Sequence, residues 1–197
     1  MTRGEDRIRT LGVGERPAPL DPELDLFRPP RLQRDALQDV TQLASGRVLV
    51  AEREGRTVGY LTFHPPGGVD ATNARLGIIE LGAVEVAPSE RGRRVGERLL
   101  HAGFAEGAYD EAVVFATLFS WHYDLARSGL GPVAYRRMLL RFYARVGLEP
   151  VSTRDPEVLE DRANALLVRI GPRAPAGAIE VFERMRTEGR VTVGAPS

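Results

Sequence analysis

The sequence predicts an α+β domain built on one mixed sheet. Three observations carry that prediction. Strand-like and helix-like segments follow one another in the order β, α, β-β-β, α, β, α, β-β, with a last helix near the end. A hairpin signature, RVLVAER-EG-RTVGYLTF, stands ahead of a long strand, Ile78–Val86, which runs into a turn and then a helix. Ala112–Leu118, AVVFATL, is apolar apart from Thr117, as expected of a strand covered on both faces. A meander before the central strand and a helical crossover after it make the sheet mixed.

Taken in order, Asp6–Val13 reads as a first strand, and Arg16–Pro30, with Pro17, Pro19, Pro22, Pro29 and Pro30, as irregular chain. Arg31–Leu43 has Leu32, Leu37 and Val40 near helical spacing. Arg47–Arg53 and Thr57–Phe63 are the hairpin strands around Glu54-Gly55, and His64–Asn73 is a Pro/Gly-rich loop. Ile78–Val86 is β-branched or small apart from Glu80 and Glu85, and Ala87-Pro88-Ser89 ends it, because proline has no N–H for the ladder. A helix follows from Glu97 to near Gly107. Ser120–Gly131 is a polar-aromatic loop. Pro132 opens a helix to about Val146, with Tyr135, Leu139, Phe142 and Val146 on one face and Gly147 as its C-cap. Glu149–Thr153 and Ala163–Ile170 are strands separated by an Asp155-Pro156 turn. Ala178–Arg186 is a helix beyond the break at Pro172–Pro175. Residues 1–171 form one predicted domain and 172–197 a C-terminal helical extension.

Composition narrows the function. With 197 residues the chain can bury a real core. Its formal net charge is zero, so no global field draws it to nucleic acid or to a membrane. All 27 Lys-plus-Arg residues are arginine, and there is no cysteine, which excludes disulfides, zinc–thiolate sites and thiol nucleophiles. No stretch approaches the roughly 18 apolar residues of a membrane span. No apolar run of signal-peptide type stands at the start. A cytoplasmic protein with no metal site is the expectation.

The chemistry concentrates in Arg91-Gly92-Arg93-Arg94-Val95-Gly96, between the central strand and its helix. Strand, basic glycine-containing turn and helix aim free backbone N–H groups and a helix dipole at one point, and such a point attracts phosphate. Neither GxxxxGKS/T nor GxGxxG is present. The turn instead resembles the pyrophosphate motif of the GNAT superfamily of N-acetyltransferases: Arg or Gln, two residues, Gly, one residue, then Gly or Ala. Arg91 and Gly96 match it, and Arg94 stands where the middle Gly belongs. A second segment, Phe142-Tyr143-Ala144-Arg145-Val146-Gly147-Leu148, is similar to the Tyr-containing end of the fourth GNAT helix. FRPP (Phe27–Pro30), ELGAVEVAP (Glu80–Pro88), WHYDL (Trp121–Leu125), AYRRM (Ala134–Met138) and ANALLVRIG (Ala163–Gly171) resemble the acetoin-utilisation acetyltransferases (AcuA) of that superfamily, over roughly residues 20–171.

The resemblance implies the GNAT fold, acetyl-CoA as co-substrate, and transfer of acetyl to an amine. In that family the acceptor is a lysine of AMP-forming acetyl-CoA synthetase, which acetylation switches off. A second copy of the chain is a candidate partner. Glu80 is the implied base, with Glu85 as the alternative; a regular strand would put them on opposite faces, and a bulge would change that. Val84 and Val86 are implied to bond the pantetheine arm through their backbone, Arg91, Gly92, Arg93, Arg94, Val95 and Gly96 to hold the diphosphate, and Tyr143 to act as general acid at sulfur. His122 either orients substrate or caps its loop. Two other readings stay open: acetylation of a small amine, and a non-catalytic acetyl-CoA sensor.

Overall fold

The computed structural model describes residues 6–67 and 76–191. Most of the predicted His64–Asn73 loop lies outside the described residues. Seven strands form one sheet in the order β1-β2-β3-β4-β5-β7-β6. These are β1 (Arg7–Thr10), β2 (Arg47–Arg53), β3 (Arg56–His64), β4 (Ile78–Val86), β5 (Val113–Leu118), β6 (Glu149–Val151) and β7 (Ala165–Ile170). The helices are α1 (Pro30–Val40), α2 (Val95–Gly103), α3 (Leu125–Ser128), α4 (Pro132–Ala144), α5 (Pro156–Leu159) and α6 (Ala176–Glu188). The predicted meander is β2-β3-β4, all antiparallel. The predicted crossover joins β4 to β5, which run parallel.

One face of the sheet packs against α2 and α4 around Leu61, Phe63, Leu81, Leu99, Leu100, Val114 and Leu167. The other face carries two separate clusters. Leu24 and Leu37 cover Val48, Val50 and Tyr60 on β2 and β3. Ala178 and Phe182 of α6 cover Phe115, Leu166 and Val168 on β5 and β7, so the C-terminal helix lies on the sheet. Between these clusters the exposed Gly82 of β4 has no cover of its own.

Several elements differ from their sequence reading. The first strand stops at Thr10, ahead of a turn in which Gly14 takes φ 71°. Helix α2 ends at Gly103 and not near Gly107: the chain leaves helical geometry at Phe104, φ −105°, and turns through Glu106 at φ 56°. Gly103 itself packs close to the sheet, where a Cβ would lie 2.7 Å from Leu61 and 3.0 Å from Phe63. The 120–131 loop contains α3, whose N-cap is Asp124, and the Asp155-Pro156 turn starts α5, capped by Asp155. One-turn helices carry too little periodicity to be read.

Candidate active site

The site begins with a fork in the sheet. β4 pairs with β5 only through Ile78, Ile79 and Glu80, opposite Val113, Val114 and Phe115. Beyond Glu80 the strands part, and β5 stays paired with β7 as far as Leu118. A bulge in β4 accompanies the divergence. Leu61 pairs with Val84 and Phe63 with Leu81, so two β4 residues, Gly82 and Ala83, oppose Thr62 alone. An extra residue bends and twists its strand. The bulge also decides the position of the two carboxylates. Glu80 pairs with His64 and Glu85 with Tyr60, and the four-residue spacing of His64 and Tyr60 puts both glutamates on the same face.

A cavity of about 460 Å³ occupies the fork. Val84 and Val86 line it from a stretch of β4 that has no strand neighbour on the β5 side. Arg91, Gly92, Arg94, Val95 and Gly96 line it from the turn and the start of α2, and Tyr135, Met138, Phe142 and Tyr143 from α4. Arg93 is outside the lining and pairs with Glu90 at 3.5 Å. Glu85 is in the lining and Glu80 is not.

The turn explains why a GNAT motif prefers glycine at its fourth position. Arg94 is the N-cap of α2 at φ 58°, ψ 23°, a left-handed conformation that costs a residue with a Cβ about 1–2 kcal/mol. The first α2 bond is Arg98 N–H to the Arg94 carbonyl, 3.0 Å, and the amides of Val95, Gly96 and Glu97 have no acceptor among the described residues. Gly96 lets the helix come close: a Cβ there would lie 3.4 Å from Val86 and 3.5 Å from Phe142. Behind the turn, Arg53 bridges Asp6 and Glu90.

Most charges around the cavity are already paired. Arg91 bonds Asp124, Arg127 bonds Asp25, Glu97 bonds Arg145, and Glu23 accepts from the Ser89 amide at 2.9 Å. Arg94, exposed, has no hydrogen bond or ion pair among the described residues. A cation without an acid partner, at a helix start with free amides, is suited to phosphate.

Glu85 is 5% exposed; it accepts the Tyr60 hydroxyl and, at 2.8 Å, the Leu26 amide. It therefore ties the 23–28 segment to β4. Burial pushes its carboxyl above the usual range, opposed by these two donors. A carboxyl raised in the folded state contributes stability that is complete below the unfolded value, near 4.5, and is lost as pH rises through the folded value. Glu85→Gln keeps an acceptor for both donors. Its melting temperature is expected to gain on wild type as pH rises above about 4.5, with no such trend below; thermal melts across pH check this.

Tyr143 is 6% exposed, and burial raises its pKa, so the phenol keeps its proton at working pH. Its side chain lines the cavity, and its hydroxyl bonds no protein group among the described residues. Tyr135 stacks on Tyr123 with ring centres 4.8 Å apart, and the Tyr123 hydroxyl donates to the Ala163 carbonyl at 2.6 Å.

On the far side of the fork, Glu80 accepts from the Gly67 amide. Burial raises its pKa, and the nearby His64 opposes that rise. His64 Nδ1 is 3.8 Å from Glu80 Oε2 and 2.9 Å from the Pro65 carbonyl. Nearby, an aromatic run crosses between the two clusters of this face. Phe27 meets His122 edge-on at 5.1 Å, His122 meets Trp121 at 6.0 Å, and Trp121, 56% exposed, stacks on Phe119 at 4.3 Å. Burial and Arg28 lower the His122 pKa. His122 lies in a run of aromatic contacts, and the cap of α3 is Asp124.

The structure gathers Val84, Glu85, Val86, Arg91, Gly92, Arg94, Val95, Gly96 and Tyr143 around one cavity and puts Glu80 at the base of the fork. Sequence reading missed His64, Asp124 and Tyr135. Only Asp124 had a local signal, an N-cap acid ahead of Leu-Ala-Arg. No helix among the described residues is long and apolar enough to cross a membrane.

The family and fold of this chain are shown by its likeness to known proteins. The sequence profile of the Acetyltransferase (GNAT) family matches residues 17–119. Acetoin utilization protein AcuA of Bacillus subtilis (strain 168) is 37% identical over 167 residues, 83% of this chain and 79% of that protein. The crystal structure of an acetoin utilization protein from Exiguobacterium sibiricum 255-15 superposes with a TM-score of 0.82 at 30% identity, covering 95% of this chain and 97% of that one. A GNAT family acetyltransferase from Elizabethkingia anophelis, solved with acetyl-CoA bound, has a TM-score of 0.52 at 13% identity over 85% of this chain and 99% of that one, a likeness of fold alone.

Proposed function

We propose that this chain, which belongs to the GNAT family of acetyltransferases and within it to the acetoin utilization proteins, transfers acetyl from acetyl-CoA to a lysine of AMP-forming acetyl-CoA synthetase and so inactivates it. One observation carries the reading. The free amides at the start of α2, the unpaired Arg94, the open edge of β4 and the Tyr143 hydroxyl all border a single cavity. In that order they suit the diphosphate, the pantetheine arm and the sulfur of acetyl-CoA. The pantetheine amides would complete β4 as an added strand does.

The acceptor would enter from the opposite face. Gly82 is exposed there, and Trp121, also exposed, belongs to the aromatic run that links the two clusters of that face. An open rim with an exposed aromatic favours an amine presented on a protein surface over a small free amine. A lysine ammonium has pKa near 10.4 and must lose a proton before it can attack. The Glu80–His64 pair is on the side from which that amine would come.

The test is transfer from labelled acetyl-CoA to purified acetyl-CoA synthetase, with a panel of small primary amines in parallel. Label on one synthetase lysine, with loss of synthetase activity, is the expected result. Label on small amines alone would move the acceptor to that class. Binding of acetyl-CoA with no transfer to either would make the chain a sensor.

A further inference from the structure

The His64 ring occupies a space that exists only because residue 82 is glycine. An ideal Cβ on Gly82 would lie 2.1 Å from His64 Nε2 and 2.9 Å from its Cδ2. Gly82 is in the β4 bulge, on the stretch where β4 has left β5, and it is exposed. Nε2 is therefore held against the open face of the fork. The other ring nitrogen is committed: Nδ1 lies 2.9 Å from the Pro65 carbonyl, and a carbonyl only accepts, so Nδ1 carries the hydrogen. That assigns the tautomer and leaves the Nε2 lone pair without a hydrogen-bond partner among the described residues. Glu80 Oε2 lies 3.8 Å from Nδ1, beyond hydrogen-bond distance but close enough to pair with the ring as a counter-charge. The Glu80 carboxylate is itself held by the Gly67 amide.

We propose that His64 takes the proton from the incoming amine and that Glu80 is its charge partner and positioning residue. This deepens the transferase reading above and rests on it. The ammonium gives one proton to Nε2, and the freed nitrogen lone pair attacks the thioester carbon. The C–S bond breaks, with its electron pair going to sulfur. The second amine proton reaches sulfur across the Tyr143 hydroxyl, which donates its own proton and accepts the other. The products are amide and thiol, and His64 returns its proton to solvent. Among the described residues, the other ionisable groups toward this face are Tyr60 and Glu85, bonded to each other, with Asp25 and Arg127 acting on Glu85, and His122 and Arg28 on the segments beside it.

Two measurements decide the matter. Long-range ¹⁵N NMR of the three histidines, with His64 assigned by its loss in His64→Gln, reads the tautomer with no need for an acceptor. Hydrogen on Nδ1 is expected, and hydrogen on Nε2 overturns the proposal. The second is the pH–rate profile on whichever acceptor, synthetase or small amine, the wild type acetylates. An imidazole changes charge between about pH 5 and 8. His64→Gln is expected to lose the rate limb in that range and at least ~100-fold in kcat. Glu80→Gln is expected to keep the limb with a smaller loss. Gly82→Ala, which displaces the ring, is expected to follow His64→Gln. A His64→Gln enzyme that keeps the limb while Glu80→Gln loses it would return the base role to Glu80. Wild type inactive on both acceptors would overturn the transferase reading, while the NMR result would still judge the His64 arrangement.

Discussion

Tyr143→Phe is expected to lower kcat for acetyl transfer by about 100-fold and to leave KM for acetyl-CoA within about twofold. Tyr143 lines the cavity, and its hydroxyl has no protein partner among the described residues, so its removal breaks no internal bond. The ring stays packed in the core with Leu99 and Leu167. Burial raises the phenol's pKa, so it is present as a donor and never as phenolate at working pH. A donor of that kind matters when charge develops on sulfur and little before, which is why the effect should fall on kcat. Loss of one such preorganised donor typically costs 10²–10³-fold. Steady-state kinetics with acetyl-CoA varied check this, with a thermal melt as control. A rise in KM with kcat unchanged would place the hydroxyl in ground-state binding only.

Arg94→Gly is expected to separate stability from binding. At φ 58°, glycine relieves the left-handed strain, so the variant should unfold about 0.5–1 kcal/mol less readily. The same change removes the one cavity-lining cation without a partner among the described residues. A hydrogen bond to a charged group contributes about 1.5–3 kcal/mol, so Kd for acetyl-CoA should rise by roughly 10- to 150-fold. Urea denaturation and calorimetric titration read the two effects separately. A more stable variant with unchanged affinity would show that the side chain takes no part and that the backbone amides alone hold the phosphates.

The sheet was legible because each strand announces itself locally. The hairpin pattern around Glu54-Gly55, the Pro88 stop and the mostly apolar Val113–Leu118 each depend on a few consecutive residues. The arginine–glycine turn was legible for the same reason. The fork was not, because it depends on pairings between segments far apart in sequence: β4 meets β5 only as far as Glu80, while β5 stays on β7 to Leu118. The bulge was foreseen as a condition without a position. Its two residues, Gly82 and Ala83, are both small, and nothing in their neighbours marks the register change. That slip turns Glu80 and Glu85 to one face. Their roles then separate through partners far away in sequence: Tyr60 and Leu26 for Glu85, His64 for Glu80. His64 carried no signal of its own, since its importance comes from a missing side chain 18 residues later.

The measurement that bears most directly on the central assignment is a crystal structure with acetyl-CoA bound. The diphosphate is expected on the Val95, Gly96 and Glu97 amides with the Arg94 guanidinium against it. The pantetheine arm is expected along Val84 and Val86, with the sulfur within hydrogen-bond reach of the Tyr143 hydroxyl. Acetyl-CoA bound outside the β4–β5 fork, or a diphosphate that leaves those three amides free, would contradict the assignment of this cavity as the acetyl-CoA site.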